Sequence, residues 1–185
     1  MFLILGLGNP GPRYELTRHN AGFLVLDNLA DKYKIKLTQH KYRSLFGKGE
    51  IEGFPVILAK PMTYMNESGK AVKALLSAFN LSSEQILVTH DDIDLPLGKI
   101  KTKLKGGDGG QLGVRSTMET LRTREFYRVR IGVDRPEDRE DIVDYVLSPF
   151  TEEESGLLND VMSKAVQTIE AALRELNKQN NPTED

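Results

Sequence analysis

The segment Phe2–Asn20, FLILGLGNPGPRYELTRHN, decides how the chain is read. Phe2–Leu5 is a short apolar run, the signature of a buried strand. It stops at the glycine-rich turn Gly6-Leu7-Gly8-Asn9-Pro10-Gly11. His19 and Asn20 follow where a helix begins. A strand that runs into a glycine turn and delivers Asn and His to one sheet edge predicts an α/β protein with a site at that edge.

Gly6, Gly8 and Gly11 also spell G-x-G-x-x-G, the pattern of a dinucleotide-binding turn. Three features oppose that reading. Pro10 and Pro12 remove backbone N–H groups that a pyrophosphate needs. The helix opens near Asn20, not at the third glycine. Asp27 and Asp31 fall within a helical pattern, where a dinucleotide fold places an acidic residue at the end of its second strand. No cofactor is therefore expected. A tight turn beside a sheet explains the glycines but leaves the Asn and His without a purpose.

At 185 residues and 39% hydrophobic content, the chain has the size of one domain and enough apolar residues for a full core. It has no cysteine, which excludes disulfides and thiol catalysis and fits a reducing, cytoplasmic setting. The opening apolar run ends at Gly6, so neither a leader nor a membrane span is expected. The net charge of -2 conceals an uneven distribution. Residues 99–135 hold ten basic and four acidic residues, whereas residues 136–185 hold four basic and thirteen acidic. A basic band beside an acidic tail suits a polyanionic partner on one side.

Periodicity predicts helices over 20–33, 68–79 and 114–121, and strands over 2–5, 46–51, 55–59, 86–89, 99–105 and 127–133. Thr151 and Glu154 have capping-box spacing and open a last helix with an apolar stripe from Leu157 to Leu176. This order predicts a single-domain α/β three-layer sandwich over residues 1–178. A mixed central sheet is flanked by helices, and a frayed polar tail follows at 179–185.

Four constellations carry possible chemistry. His19 titrates near neutrality and can move a proton, or it can simply bond backbone at a helix start. His90-Asp91-Asp92-Ile93-Asp94 follows a buried strand. If Asp91 faces His19, it orients the imidazole and stabilises its charged form. A metal held by these acids is the alternative, but strand alternation points Asp92 and Asp94 away from Asp91. Asn66 and Ser68 are good helix N-caps, and Asn66 can equally offer its carboxamide to an amide substrate. Tyr64 can stack on a base. Lys99, Lys101, Lys103 and Lys105 alternate along a strand beside five arginines, either as a solvated face or as a phosphate-binding one.

Taken in order, four blocks resemble bacterial-type peptidyl-tRNA hydrolase. They are GLGNPGPRYELTRHNAGF (6–23), KPMTYMNESGKAV (60–72), HDDIDLPLGKIKTKLKGGDGG (90–110) and FYRVRIGVDRP (126–136). The resemblance implies a monomer that hydrolyses the ester between a peptide and the acceptor end of tRNA, with peptidyl-tRNA as partner and no metal. It implies His19 as general base with Asp91 as its partner. Asn9 and Asn66 are implied at the peptide end, Tyr14 and Tyr64 along the tRNA-facing site, and Lys103 and Arg130 on tRNA phosphate. One block departs from the pattern: the usual GGHNG reads Gly109-Gly110-Gln111-Leu112-Gly113. Leucine neither donates nor accepts a hydrogen bond, so Leu112 is carried only as a site-lining position. The asparagine's role is left to Gln111 or a loop N–H. A relative of the same fold that binds RNA without turnover is the alternative function.

Overall fold

The computed structural model describes residues 1–138 and 141–182. Phe2–Gly6 forms β1, and every one of its residues is buried. A strand covered on both faces reads as an unbroken apolar run, as this one does. It sits at the centre of a seven-stranded sheet of order β2-β3-β4-β1-β5-β7-β6. The other strands are β2 (Gln39–Lys41), β3 (Ser44–Ile51), β4 (Phe54–Pro61), β5 (Ile86–Asp92), β6 (Ile100–Lys103) and β7 (Tyr127–Gly132). β4 and β5 pair in parallel with β1 on its two sides, and β7 pairs in parallel with β5. β3 and β6 run antiparallel to β4 and β7, so the sheet is mixed.

Alternation along β1 assigns the two cores. Phe2 and Ile4 pack under α1 (Ala21–Tyr33) and α6 (Leu158–Asn180), with Leu87, Val129 and Ile131. Leu3 and Leu5 pack under α2 (Ser68–Phe79) and α3 (Leu112–Leu121), with Ile57 and Val88. Two short helices complete the chain, α4 (Ile142–Val146) and α5 (Glu152–Ser155). The layers are those expected, an α/β sandwich with a mixed sheet between helices. The glycine turn after β1 also finds its reason. A Cβ on Gly6 would stand 2.3 Å from the Gly22 carbonyl oxygen, so this glycine lets α1 start directly against the strand.

Several boundaries differ from expectation. β5 runs through His90, Asp91 and Asp92, three residues beyond the predicted 86–89. The lysine strand is shorter: only Lys101 and Lys103 lie in β6. The chain bends beyond it, where the buried Arg128 guanidinium donates to the carbonyls of Gly106 and Gly107. Asn66 and Ser68 cap no helix. Asn66 lies in a 3-10 turn, Met65–Glu67, and the Ser68 hydroxyl donates to the Met65 carbonyl. The capping box of Thr151 and Glu154 forms, but it opens α5 rather than the long helix. α6 extends to Asn180, into the stretch expected to be tail, and the Asn180 carboxamide donates to the Glu84 carbonyl. Residues 183–185 of that tail lie outside the described residues.

Candidate active site

β1, β4 and β5 all end at one edge, where the chain passes from β1 to α1 on one face of the sheet and from β4 to α2 on the other. In open α/β sheets such a switch point is where ligands bind. A cleft of about 300 Å³ lies there. Its lining includes Asn9, His19 and Asp91, with Tyr64 to Asn66 and Gly109 to Leu112 along the sides.

Asn9, in the turn after β1, is buried and held from two directions. Its N–H donates to the Asn20 carboxamide oxygen at 2.8 Å, and the Asn20 amide donates back to its carbonyl at 2.9 Å. Its own side-chain oxygen accepts from the Met65 N–H at 2.8 Å. With that oxygen bound, Asn9 turns its NH₂ to the cleft.

His19 lies in a 3-10 turn, Arg18–Asn20, that leads into α1. The turn is tied down by Arg18, itself buried. Its guanidinium donates to Glu154 at 2.5 Å and to the Tyr145 carbonyl at 3.2 Å. The His19 imidazole donates through Nδ1 to Asp91 Oδ2 at 2.8 Å. This leaves Nε2 with its lone pair facing the cleft. Burial opposes the charged imidazolium, but the charge of Asp91 and its hydrogen bond outweigh that effect. His19 therefore titrates above its ordinary 6.5.

Asp91 is in turn fixed by Gln111. The Gln111 amide donates to Asp91 Oδ1 at 3.0 Å, and its carbonyl oxygen accepts from the Val114 N–H at 2.8 Å, capping α3. Gln111 thus connects the helix start to the carboxylate that orients His19. Each Asp91 oxygen has a donor, a satisfied arrangement for a buried charge.

Not every predicted residue reaches the cleft. Asn66, Tyr64 and Leu112 line it and are exposed. Tyr14 lies outside it, half-buried in a separate 3-10 turn, Pro12–Tyr14. Lys103 and Arg130 also lie outside it. They belong to β6 and β7, where Lys101 stands opposite Arg130 and Lys103 opposite Arg128. Arg130 reaches the rim through Asp92, donating from Nε at 2.7 Å. Asp94 is engaged by Arg135, and His90 Nδ1 donates to the Asp91 backbone carbonyl. Asp92 and Asp94 therefore face arginines, and Asp91 faces His19 and Gln111. Among the described residues no group of three or more His, Cys, Asp or Glu is placed to hold a metal ion.

Sequence reasoning missed the roles of Arg18, Asn20 and Gln111, and it missed α4 altogether. α4 and the residue after it place Ile142, Val143, Val146 and Leu147 against the cleft. The spacing of these four residues was the available signal, but a single turn is too short to be read as periodic.

The described residues of the cleft include a histidine–carboxylate pair with an open Nε2, but no Ser, Thr, Cys or Lys to serve as a covalent nucleophile. Such a pair at the switch point of an α/β fold can act as a general base on water, as a hydrolase needs. The comparisons with known proteins narrow this. The peptidyl-tRNA hydrolase family model matches residues 3–184. The peptidyl-tRNA hydrolase of Bacillus subtilis is 46% identical over 173 residues, covering 94% of this chain and 92% of that one. That of Bacillus cytotoxicus is 46% identical over 170 residues, covering 92% and 91%. A crystal structure of peptidyl-tRNA hydrolase from Acinetobacter baumannii, 38% identical, matches with a TM-score of 0.89 over 97% of this chain and 91% of that one. The chain belongs to the peptidyl-tRNA hydrolase family.

Proposed function

We propose that this chain hydrolyses the ester joining a peptide, or an N-blocked amino acid, to the 3′ end of tRNA. The observation that carries this reading is the His19–Asp91 pair, with Nε2 open to the cleft. Neutral His19 takes a proton from water through Nε2, and Asp91 stabilises the imidazolium that forms. The water oxygen bonds to the ester carbonyl carbon. The Gly110 and Gln111 N–H groups both donate to Asp108, so the side chains of Asn9 and Asn66, or the other N–H groups of the Gly109–Gly113 loop, stabilise the developing oxyanion. The bond to the ribose 3′ oxygen then breaks, and that oxygen takes the proton from His19. The products are a free carboxylate and deacylated tRNA.

The basic residues of β6 and β7 lie beside the cleft rather than in it. This placement suits Lys103 and Arg130 to the phosphates of the acceptor arm, and Tyr14 to its outer edge. The reaction is assigned to a monomer in the cytoplasm. No described helix is long and apolar enough to cross a membrane.

The test is release of N-acetylamino acid from charged tRNA by the purified protein, beside His19→Ala. The wild type turns over, and the variant loses activity by about 10²–10⁴-fold while retaining tRNA binding. Tight binding without turnover by the wild type would make the chain a binding module. Near-normal hydrolysis by His19→Ala would remove the base assignment.

A further inference from the structure

Nine large apolar side chains are exposed among the described residues, and four of them, Tyr64, Leu112, Val143 and Leu147, line this one cleft. Ile142 and Val146 complete the same wall. Exposed apolar side chains scattered singly need no explanation, but a concentration beside polar catalytic groups marks a binding surface. Besides Tyr64, which precedes the 3-10 turn Met65–Glu67, the wall has two sources. One is α4, whose Val143 is 64% exposed. The other is Leu112, 42% exposed at the first turn of α3, where the resemblance leads one to expect an asparagine.

No Lys or Arg lines the cleft, and its two carboxylates are already engaged, Asp91 by His19 and Gln111, Asp92 by Arg130. A phosphate backbone finds no cation here, so this wall is not a phosphate-binding surface. What remains beside a scissile ester at His19 is the acyl side of the substrate. A space of about 300 Å³ is at the lower end for ligand sites and suits one acyl residue rather than a folded peptide.

We propose that this wall is a side-chain pocket for the amino acid esterified to tRNA, selecting large apolar residues, with Leu112 and Val143 as its specificity determinants. This rests on the hydrolase reading above and adds the acyl class that the site prefers. A charged side chain entering the pocket would lose water without gaining a partner. An apolar one covers the wall and is covered by it. The preference acts against both signs of charge. The negative charges of Asp91 and Asp92 alone would instead attract a lysyl residue and favour it over a leucyl one.

The experiment compares kcat/KM for N-acetyl-Leu, N-acetyl-Phe, N-acetyl-Asp and N-acetyl-Lys carried on one and the same tRNA. The apolar pair is expected to exceed both charged substrates by roughly tenfold or more. The ratio should persist at high salt, which weakens tRNA holding equally for all four. In Leu112→Asn/Val143→Ser the ratio should fall towards equality. Equal values for the four substrates in the wild type overturn the proposal, as does an unchanged ratio in the double variant or a preference for Lys over Leu. Loss of turnover on every substrate by the wild type is a different result, and it removes the hydrolase reading itself.

Discussion

His19 and His90 meet Asp91 on opposite faces of the sheet, and it treats them differently. His19 bonds the carboxylate, which raises its pKa against the effect of burial. His90 is the next residue along β5, so its side chain points to the other face, into the core shared with Val88. There its Nδ1–H donates to the Asp91 backbone carbonyl at 2.7 Å, while Nε2 is buried without a partner. Burial is the largest influence on His90 and pushes its pKa down. One histidine has a charge partner and an open nitrogen. The other has a neutral partner and a sealed one. Residue type and proximity to an acid do not make a base; the base is made by which atom of the acid is met, and by access to water.

Beyond the His19 variant, the largest way to break this contrast is Asp91→Asn. The carboxamide can present its NH₂ to Nδ1 and hold the wrong tautomer, so kcat should fall by about 10²–10⁴-fold. The pH profile gives the sign. The base works when neutral, so activity rises with pH through a His19 pKa above 6.5. Without the carboxylate only the lowering effect of burial is left, and the acid limb of the residual activity should move to lower pH. A limb that stays in place would mean that another group titrates there.

A smaller effect is expected for Gln111→Leu. It removes a hydrogen bond to a buried carboxylate, worth about 1.5–3 kcal/mol, or roughly 10–100-fold if it is felt fully in kcat. Gln111→His should retain more activity than Gln111→Leu. Equal loss in the two would make Gln111 only a helix cap, and kcat with KM read separately distinguishes these outcomes. The smallest catalytic effect is expected for His90→Leu. Its acid limb should coincide with that of the wild type, while the urea midpoint reports a loss of about 1 kcal/mol for the missing neutral hydrogen bond. A shifted limb would make His90 part of the titrating site and erase the distinction drawn between the two histidines.

Legibility in the sequence followed the length of the signal. α2 was read at both ends, because Ala71, Val72, Leu75 and Leu76 repeat over three turns. Its N-cap was not, since Asn66 and Ser68 suit an N-cap by type, but Asn66 lies in the preceding 3-10 turn and Ser68 is already the first residue of the helix. The strand was read as ending at Thr89, because His-Asp-Asp lacks its apolar character. Pairing with β7 through Asp92↔Gly132 overrides that composition. The lysine alternation suggested a longer strand than β6, and only the Arg128 contacts to the glycine loop explain where it stops. Asn9, His19 and Asp91 were singled out from glycine-turn and strand-end context together with the family resemblance. Gln111 was noticed as a departure, but its bond to Asp91 spans 20 residues and no spacing rule predicts it.

The amino-acid order by itself determined the elements, the buried central strand and the class of fold, because helical and strand periodicity are carried by neighbours in the chain. It also marked the residues with proton chemistry. Only the tertiary structure decided which of them meet. His19 and Asp91 are 72 residues apart and touch because β1 and β5 lie side by side at the centre of the sheet. The same packing buried His90, left Nε2 of His19 open, and placed α4 over the cleft. Such encounters depend on strand order and on the face each side chain takes, and neither is written in any local run of residues.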